Sequence, residues 1–173
     1  TELEGIGPVR LRQETDYPAG GSVRITVDSD ADEPFAVALR IPRWCEGASV
    51  KVNGNDTNET PKAGAFFEIN RVWAKGDAIE LELPMEWRLV KGRVNQAGRV
   101  AIMRGPQIFG LNPARNEGVE NIDPRLMTLD PGSIEGPMPD DSVRPGGMAC
   151  SVRVWDPRAW YPGKTSRTLT LTE

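Results

Sequence analysis

At 173 residues the chain is long enough for one ordinary domain with a full hydrophobic core, or for one sandwich plus part of a second. With 38% apolar and 27% charged residues it has a globular composition, and no apolar run comes near the ~20 residues that a membrane-spanning helix needs. A formal net charge of −4 without a basic stripe speaks against nucleic acid as a partner, and the complete absence of histidine closes Ser-His-Asp and Cys-His catalysis.

In chain order the dominant pattern is period-two alternation, the mark of strands with one buried face. Val9 to Glu14 is the first candidate. Val23, Ile25 and Val27 then alternate with Ser22, Arg24 and Thr26, and Phe35, Val37, Leu39 and Ile41 alternate with Ala36, Ala38 and Arg40. Ser49 to Val52, Ala65 to Ile69, Ile79 to Leu83, Glu86 to Val90, Arg99 to Met103 and Gln107 to Leu111 follow, with Val152, Val154, Leu169 and Leu171 marking two more near the C-terminus. The separators are turn chemistry: residues 18–21, 30–34, 53–55, 75–77 and 104–106. Asn53-Gly54 is the strongest of these, because both residues tolerate the positive φ that a type I′ hairpin needs twice.

These elements predict an all-β protein, an antiparallel β-sandwich of jelly-roll-like kind. Residues 1–111 are expected to form the sandwich. Residues 112–150, dense in proline and glycine, are expected to form a long irregular arm, and residues 151–173 to add terminal strands that complete the sandwich or begin a second one. The first residues carry no initiator Met or targeting signal, and the last read as an unfinished strand, so the sequence is read as part of a longer chain.

Few residues invite a chemical role. Asp28, Asp30 and Asp32 have the spacing of a calcium loop's first ligands, but Glu33 stands where that loop needs glycine and Leu39 where it needs a bidentate glutamate. They read as an acidic hairpin tip. Cys45 and Cys150 can form one bridge or none, cannot make a zinc site from Cys and His alone, and Cys45 reads as an inert structural thiol. Catalytic, metal and cofactor residues are therefore assigned to none. Trp44, Trp73 and Trp87 read as packing residues, whereas Trp155, Trp160 and Tyr161 form an aromatic cluster of the kind on which sugar rings stack.

Five motifs, LRIPRW (Leu39 to Trp44), VNG (Val52 to Gly54), RVWAKGD (Arg71 to Asp77), IELELPM (Ile79 to Met85) and RVAIMRGPQIFGL (Arg99 to Leu111), occur in this order. Together they resemble the β-sandwich region that follows the catalytic barrel in bacterial β-L-arabinofuranosidases of glycoside hydrolase family 127, over about Thr15 to Leu111. The resemblance implies a retaining glycosidase as the parent protein, with a catalytic (α/α)₆ barrel carrying a zinc-bound cysteine nucleophile. None of that barrel's motifs has a counterpart here, so zinc is expected only in the barrel. The expected role is an accessory sandwich supporting it, with a second copy of the chain and a glycan as further candidate partners. The alternative is a carbohydrate-binding module using Trp155, Trp160 and Tyr161.

Overall fold

The computed structural model describes residues 2–119, 121–155 and 166–173, and the chain divides into two compact units, Thr1–Glu86 and Trp87–Glu173. Among the described residues strands are the main element of both, joined by turns and short 3₁₀ turns, and every strand pairing is antiparallel.

The first unit holds strands β1 (Glu2–Leu3), β2 (Gly7–Thr15), β3 (Ser22–Ser29), β4 (Phe35–Arg40), β5 (Ser49–Val52), β6 (Asn55–Asp56), β7 (Phe66–Arg71) and β8 (Ala78–Glu82). Six of them form one sheet in the order β1-β2-β3-β8-β5-β6, and β4 pairs with β7 in a two-stranded ribbon. The alternation read from the sequence decides which side of each strand is covered. Along β4, Phe35, Val37 and Leu39 are buried while Ala36, Ala38 and Arg40 are exposed. The ribbon's Val37, Leu39 and Phe67 share one core with Val23, Val27, Val50, Ile79 and Leu81 of the larger sheet, which makes this unit a two-layer sandwich.

The second unit holds β9 (Trp87–Lys91), β10 (Val100–Arg104), β11 (Gln107–Leu111), β12 (Thr128–Leu129), β13 (Glu135–Pro139), β14 (Met148–Trp155) and β15 (Ser166–Thr172). They form one sheet in the order β12-β14-β15-β11-β10-β9, with β13 also on β14. The boundary expected at residue 111 falls instead after Glu86. The strands at 87–111 pair with the end of the chain, through Gly110↔Thr172 and Leu111↔Leu171, and so belong with it. Alternation marks a buried face but carries no record of which strand lies alongside.

The stretch at 112–150 is more ordered than its proline and glycine content predicts. It supplies β12, β13 and the first residues of β14, and three of its prolines open short 3₁₀ turns at Pro113–Arg115, Pro124–Leu126 and Pro131–Ser133. Each proline follows a side chain, Asn112, Asp123 or Asp130, that accepts the backbone N–H two residues on. Proline supplies a fixed φ where its missing N–H costs nothing, and the Asx oxygen satisfies the next donor. In β13 the ladder shifts register between Glu135 and Met138, around Gly136-Pro137, as proline at a sheet edge allows. Val119, Met127, Leu129 and Ile134 then cover the sheet's apolar side beside Phe109, Val152 and Leu169.

This layer has few strand bonds of its own, and residues 141–146 within it are all exposed. Limited proteolysis of the chain should cut first between Asn112 and Cys150. First cuts inside β3, β4 or β8 would show that the two layers were ranked in the wrong order.

Candidate functional site

Two of the quoted motifs meet in one place. The hairpin β5–β6 turns at Asn53 and Gly54, with φ of 52° and 77°, the two positive values the Asn-Gly pair predicts. Its Asn53 amide donates to Asp77 Oδ1 at 2.8 Å, while Asn53 Oδ1 accepts the Ala78 N–H at 2.8 Å. The other oxygen of Asp77 accepts the Ala74 N–H at 3.0 Å and lies 3.5 Å from the Arg71 guanidinium. Main-chain bonds complete the junction: Gly76 N–H donates to the Val27 carbonyl, and Val27 N–H donates to that of Asp77, at 2.9 and 2.8 Å.

The junction ties β3, β5 and β8 together at one end of the sandwich. Asp77 is buried, and the Asn53 amide, helped by the Ala74 N–H and Arg71 against the cost of burial, holds its carboxyl below the usual value. Beside it Trp73 is 1% exposed, its ring N–H donates to the Phe35 carbonyl at 2.9 Å, and the Arg71 guanidinium lies 5.3 Å from its ring. The Asn53 amide and both Asp77 carboxylate oxygens bond to groups of the same unit. This arrangement fixes strand ends. The sequence marks both turns, but the bond between them spans 24 residues and only the fold brings it about.

Gly76 sits in this junction at φ 89°. A β-branched residue is poorly tolerated there, so Gly76→Val should destabilise the unit by well over the ~1 kcal/mol of an ordinary substitution. An unchanged thermal midpoint would remove the turn from this account.

The other sequence candidates are scattered. Trp155 ends β14, half-buried and paired with Thr128 and Ser166, while Trp160 and Tyr161 lie outside the described residues. Cys45 and Cys150 are free thiols buried in separate cores. Burial raises the Cys45 thiol and pushes Cys150 up to about 11, far from the thiolate a nucleophile requires. Asp28 pairs with Lys75 at 3.4 Å, and among the described residues no three Asp, Glu, Cys or His side chains are grouped to hold a metal ion. Trp44 and Trp87 pack against the two cores as expected.

The sequence gives less warning of an open groove on the outer side of the six-stranded sheet, lined by Glu14, Asp16, Arg24, Lys51, Glu80 and Glu82 among others. Its charges alternate across the strands: Glu14 stands opposite Arg24, Arg24 opposite Glu80, Glu80 opposite Lys51, and Lys51 opposite Asp56. Arg24 bonds Glu80 and Lys51 lies 3.7 Å from Asp56. Exposed ion pairs of this kind keep a sheet face soluble and add little stability.

Comparison with known proteins accounts for the motifs. Residues 1–85 match the family model described as the β-L-arabinofuranosidase, glycoside hydrolase family 127 middle domain. The chain is glycoside hydrolase family 127-like. It is 30% identical over 114 residues to the non-reducing end β-L-arabinofuranosidase of Bifidobacterium longum subsp. longum, a match covering 62% of this chain and 17% of that protein. The solved family 127 β-L-arabinofuranosidase of Geobacillus stearothermophilus T6 superposes with a TM-score of 0.80 at 30% identity, over 99% of this chain and 28% of that one. A structure described as a glycoside hydrolase gives 0.74 at 27% identity, over 99% of this chain and 30% of its own.

The family 127-like chain thus spans less than a third of the length of these relatives. Its family match begins earlier and ends earlier than the expected Thr15 to Leu111, closing at the boundary between the two units, and it carries the description of a middle domain. The structural matches run through almost the whole chain and so include the second unit.

Proposed function

We propose that this chain is a non-catalytic accessory β-sandwich region of a family 127-like glycoside hydrolase, a β-L-arabinofuranosidase, and that it supports the catalytic barrel of that protein. The single observation behind this reading is the convergence of VNG and RVWAKGD on the Asn53–Asp77 junction, whose carboxylate is buried. Residues that identify the family here serve the fold of the first unit. The thiols add to it: both are buried, with raised pKa values, and among the described residues neither belongs to a group of Asp, Glu, Cys or His side chains that could hold a metal ion.

The isolated chain should hydrolyse no aryl arabinofuranoside and should bind no stoichiometric zinc, measured by release of the aryl group and by metal analysis after dialysis. Turnover that disappears on Cys45→Ala would overturn the reading. Titration calorimetry with arabinan oligosaccharides tests the binding-module alternative, which requires measurable heat that is lost when Trp160 or Tyr161 is replaced by alanine.

A further inference from the structure

The two outer faces of the first unit differ in kind. The face of the six-stranded sheet carries the alternating row Glu14, Arg24, Glu80, Lys51 and Asp56, whose charges answer one another. The outer face of the β4–β7 ribbon has no such row. Its opposed pairs are Ala36 with Asn70, Ala38 with Glu68, and Arg40 with Phe66. Phe66 is 65% exposed, at a strand position that alternation assigns to water and that polar residues usually fill.

LRIPRW supplies the second part of the argument. Its Leu39, Ile41 and Trp44 face the core, but Arg40 and Arg43 point outward. Neither guanidinium has an ion pair or hydrogen bond among the described residues, unlike Arg12, Arg24 and Arg71 in the same unit. Burial raises the Tyr17 phenol, with the Cys45 thiol adding to the rise and the Arg40 charge opposing it. Small side chains along a ribbon, an exposed phenylalanine and two unanswered cations together fit a flat protein surface bearing apolar residues and carboxylates.

We propose that the outer face of β4–β7, centred on Arg40, Arg43 and Phe66, is where this chain docks on the catalytic domain of its own parent protein. The proposal rests on the accessory reading above and names the face that does the supporting. Two observations argue for this occupant. The two cations outnumber the ribbon's outward-facing carboxylate, Glu68, with which neither forms an ion pair among the described residues, and the similar enzymes contain far more chain than is present here, which covers 28% and 30% of them.

The test uses the full-length enzyme and, beside it, the isolated chain, each with Phe66→Ser and with the Arg40→Glu, Arg43→Glu pair. In the isolated chain these exposed changes should leave the thermal midpoint in place, which shows that the variants fold. In the full-length enzyme they should split a single calorimetric transition into two and shorten the lifetime of activity on warming, whereas Lys51→Glu on the opposite face should do neither. Full-length variants that unfold as the parent does would overturn the proposal. So would conversion of a dimer to a monomer with the single transition kept, or loss of arabino-oligosaccharide binding by the isolated chain. Removing residues 1–173 separates the two ideas: if that deletion leaves unfolding and turnover unchanged, the accessory reading itself fails. If the deletion is damaging and the face variants are silent, only the choice of face is wrong.

Discussion

Trp73→Ala should destabilise the first unit by about 3–5 kcal/mol, the range for deleting a fully buried large aromatic side chain. Trp73 is 1% exposed in the core shared by the two sheets. Its ring lies 6.3 Å from that of Phe35, and its N–H donates to the Phe35 carbonyl at the start of β4. Truncation therefore opens a cavity and leaves a carbonyl without its partner. Trp73→Phe should cost clearly less, because it keeps most of the volume and loses chiefly the hydrogen bond. Urea unfolding followed by intrinsic fluorescence or circular dichroism gives both values. Equal losses for the two variants would mean that the hydrogen bond, rather than packing, makes Trp73 indispensable.

The ease of reading Trp73 from the sequence shows what made most of this fold legible. Wherever one face of a strand is buried and the other wet, side chains alternate, and β3, β4, β8, β10, β11, β14 and β15 are found where alternation puts them. Positive-φ turns were equally plain at Asn53-Gly54 and Gly76, because few residues tolerate that backbone. What stayed hidden depended on partners distant in sequence. The division after Glu86 follows from pairing of β11 with β15, and the order in 112–150 follows from strands that pair only with β14. The three Asx-Pro turns were readable in principle, since Asn112-Pro113, Asp123-Pro124 and Asp130-Pro131 repeat one local device. Counting prolines as breakers concealed it.

The same limit applies to function. A motif conveys which residues a fold needs, but whether it needs them for chemistry or for shape depends on what their side chains reach. VNG and RVWAKGD reach each other through Asn53 and Asp77, whereas Arg40 and Arg43 of LRIPRW form no side-chain hydrogen bond or ion pair among the described residues. These are different kinds of family signature. Those of the first kind hold the unit together; those of the second kind face outward.

Asp77→Ala should cost the first unit about 2–3 kcal/mol at neutral pH, the scale for losing hydrogen bonds to a charged group. The Asn53 amide and the Ala74 N–H both lose their acceptor, while the half-exposed Arg71 can turn to water. The carboxyl gives this loss a pH signature. The Asn53 hydrogen bond is the largest of the effects that lower the folded-state pKa from its ordinary 3.8. A depressed folded pKa means that the unfolded chain takes up this proton first as pH falls. The contribution is therefore complete above the unfolded pKa, and it is lost as acidification proceeds through the folded one. Asp77→Asn has no carboxyl to titrate, and the stability gap between it and the parent should be widest near neutrality and should close below about pH 4. Urea midpoints of the parent and Asp77→Asn, compared from pH 7 down to the acid limit of folding, measure that gap directly. A gap that stays constant across the acid range would mean that the junction holds by shape alone and that the charge on Asp77 contributes nothing to it.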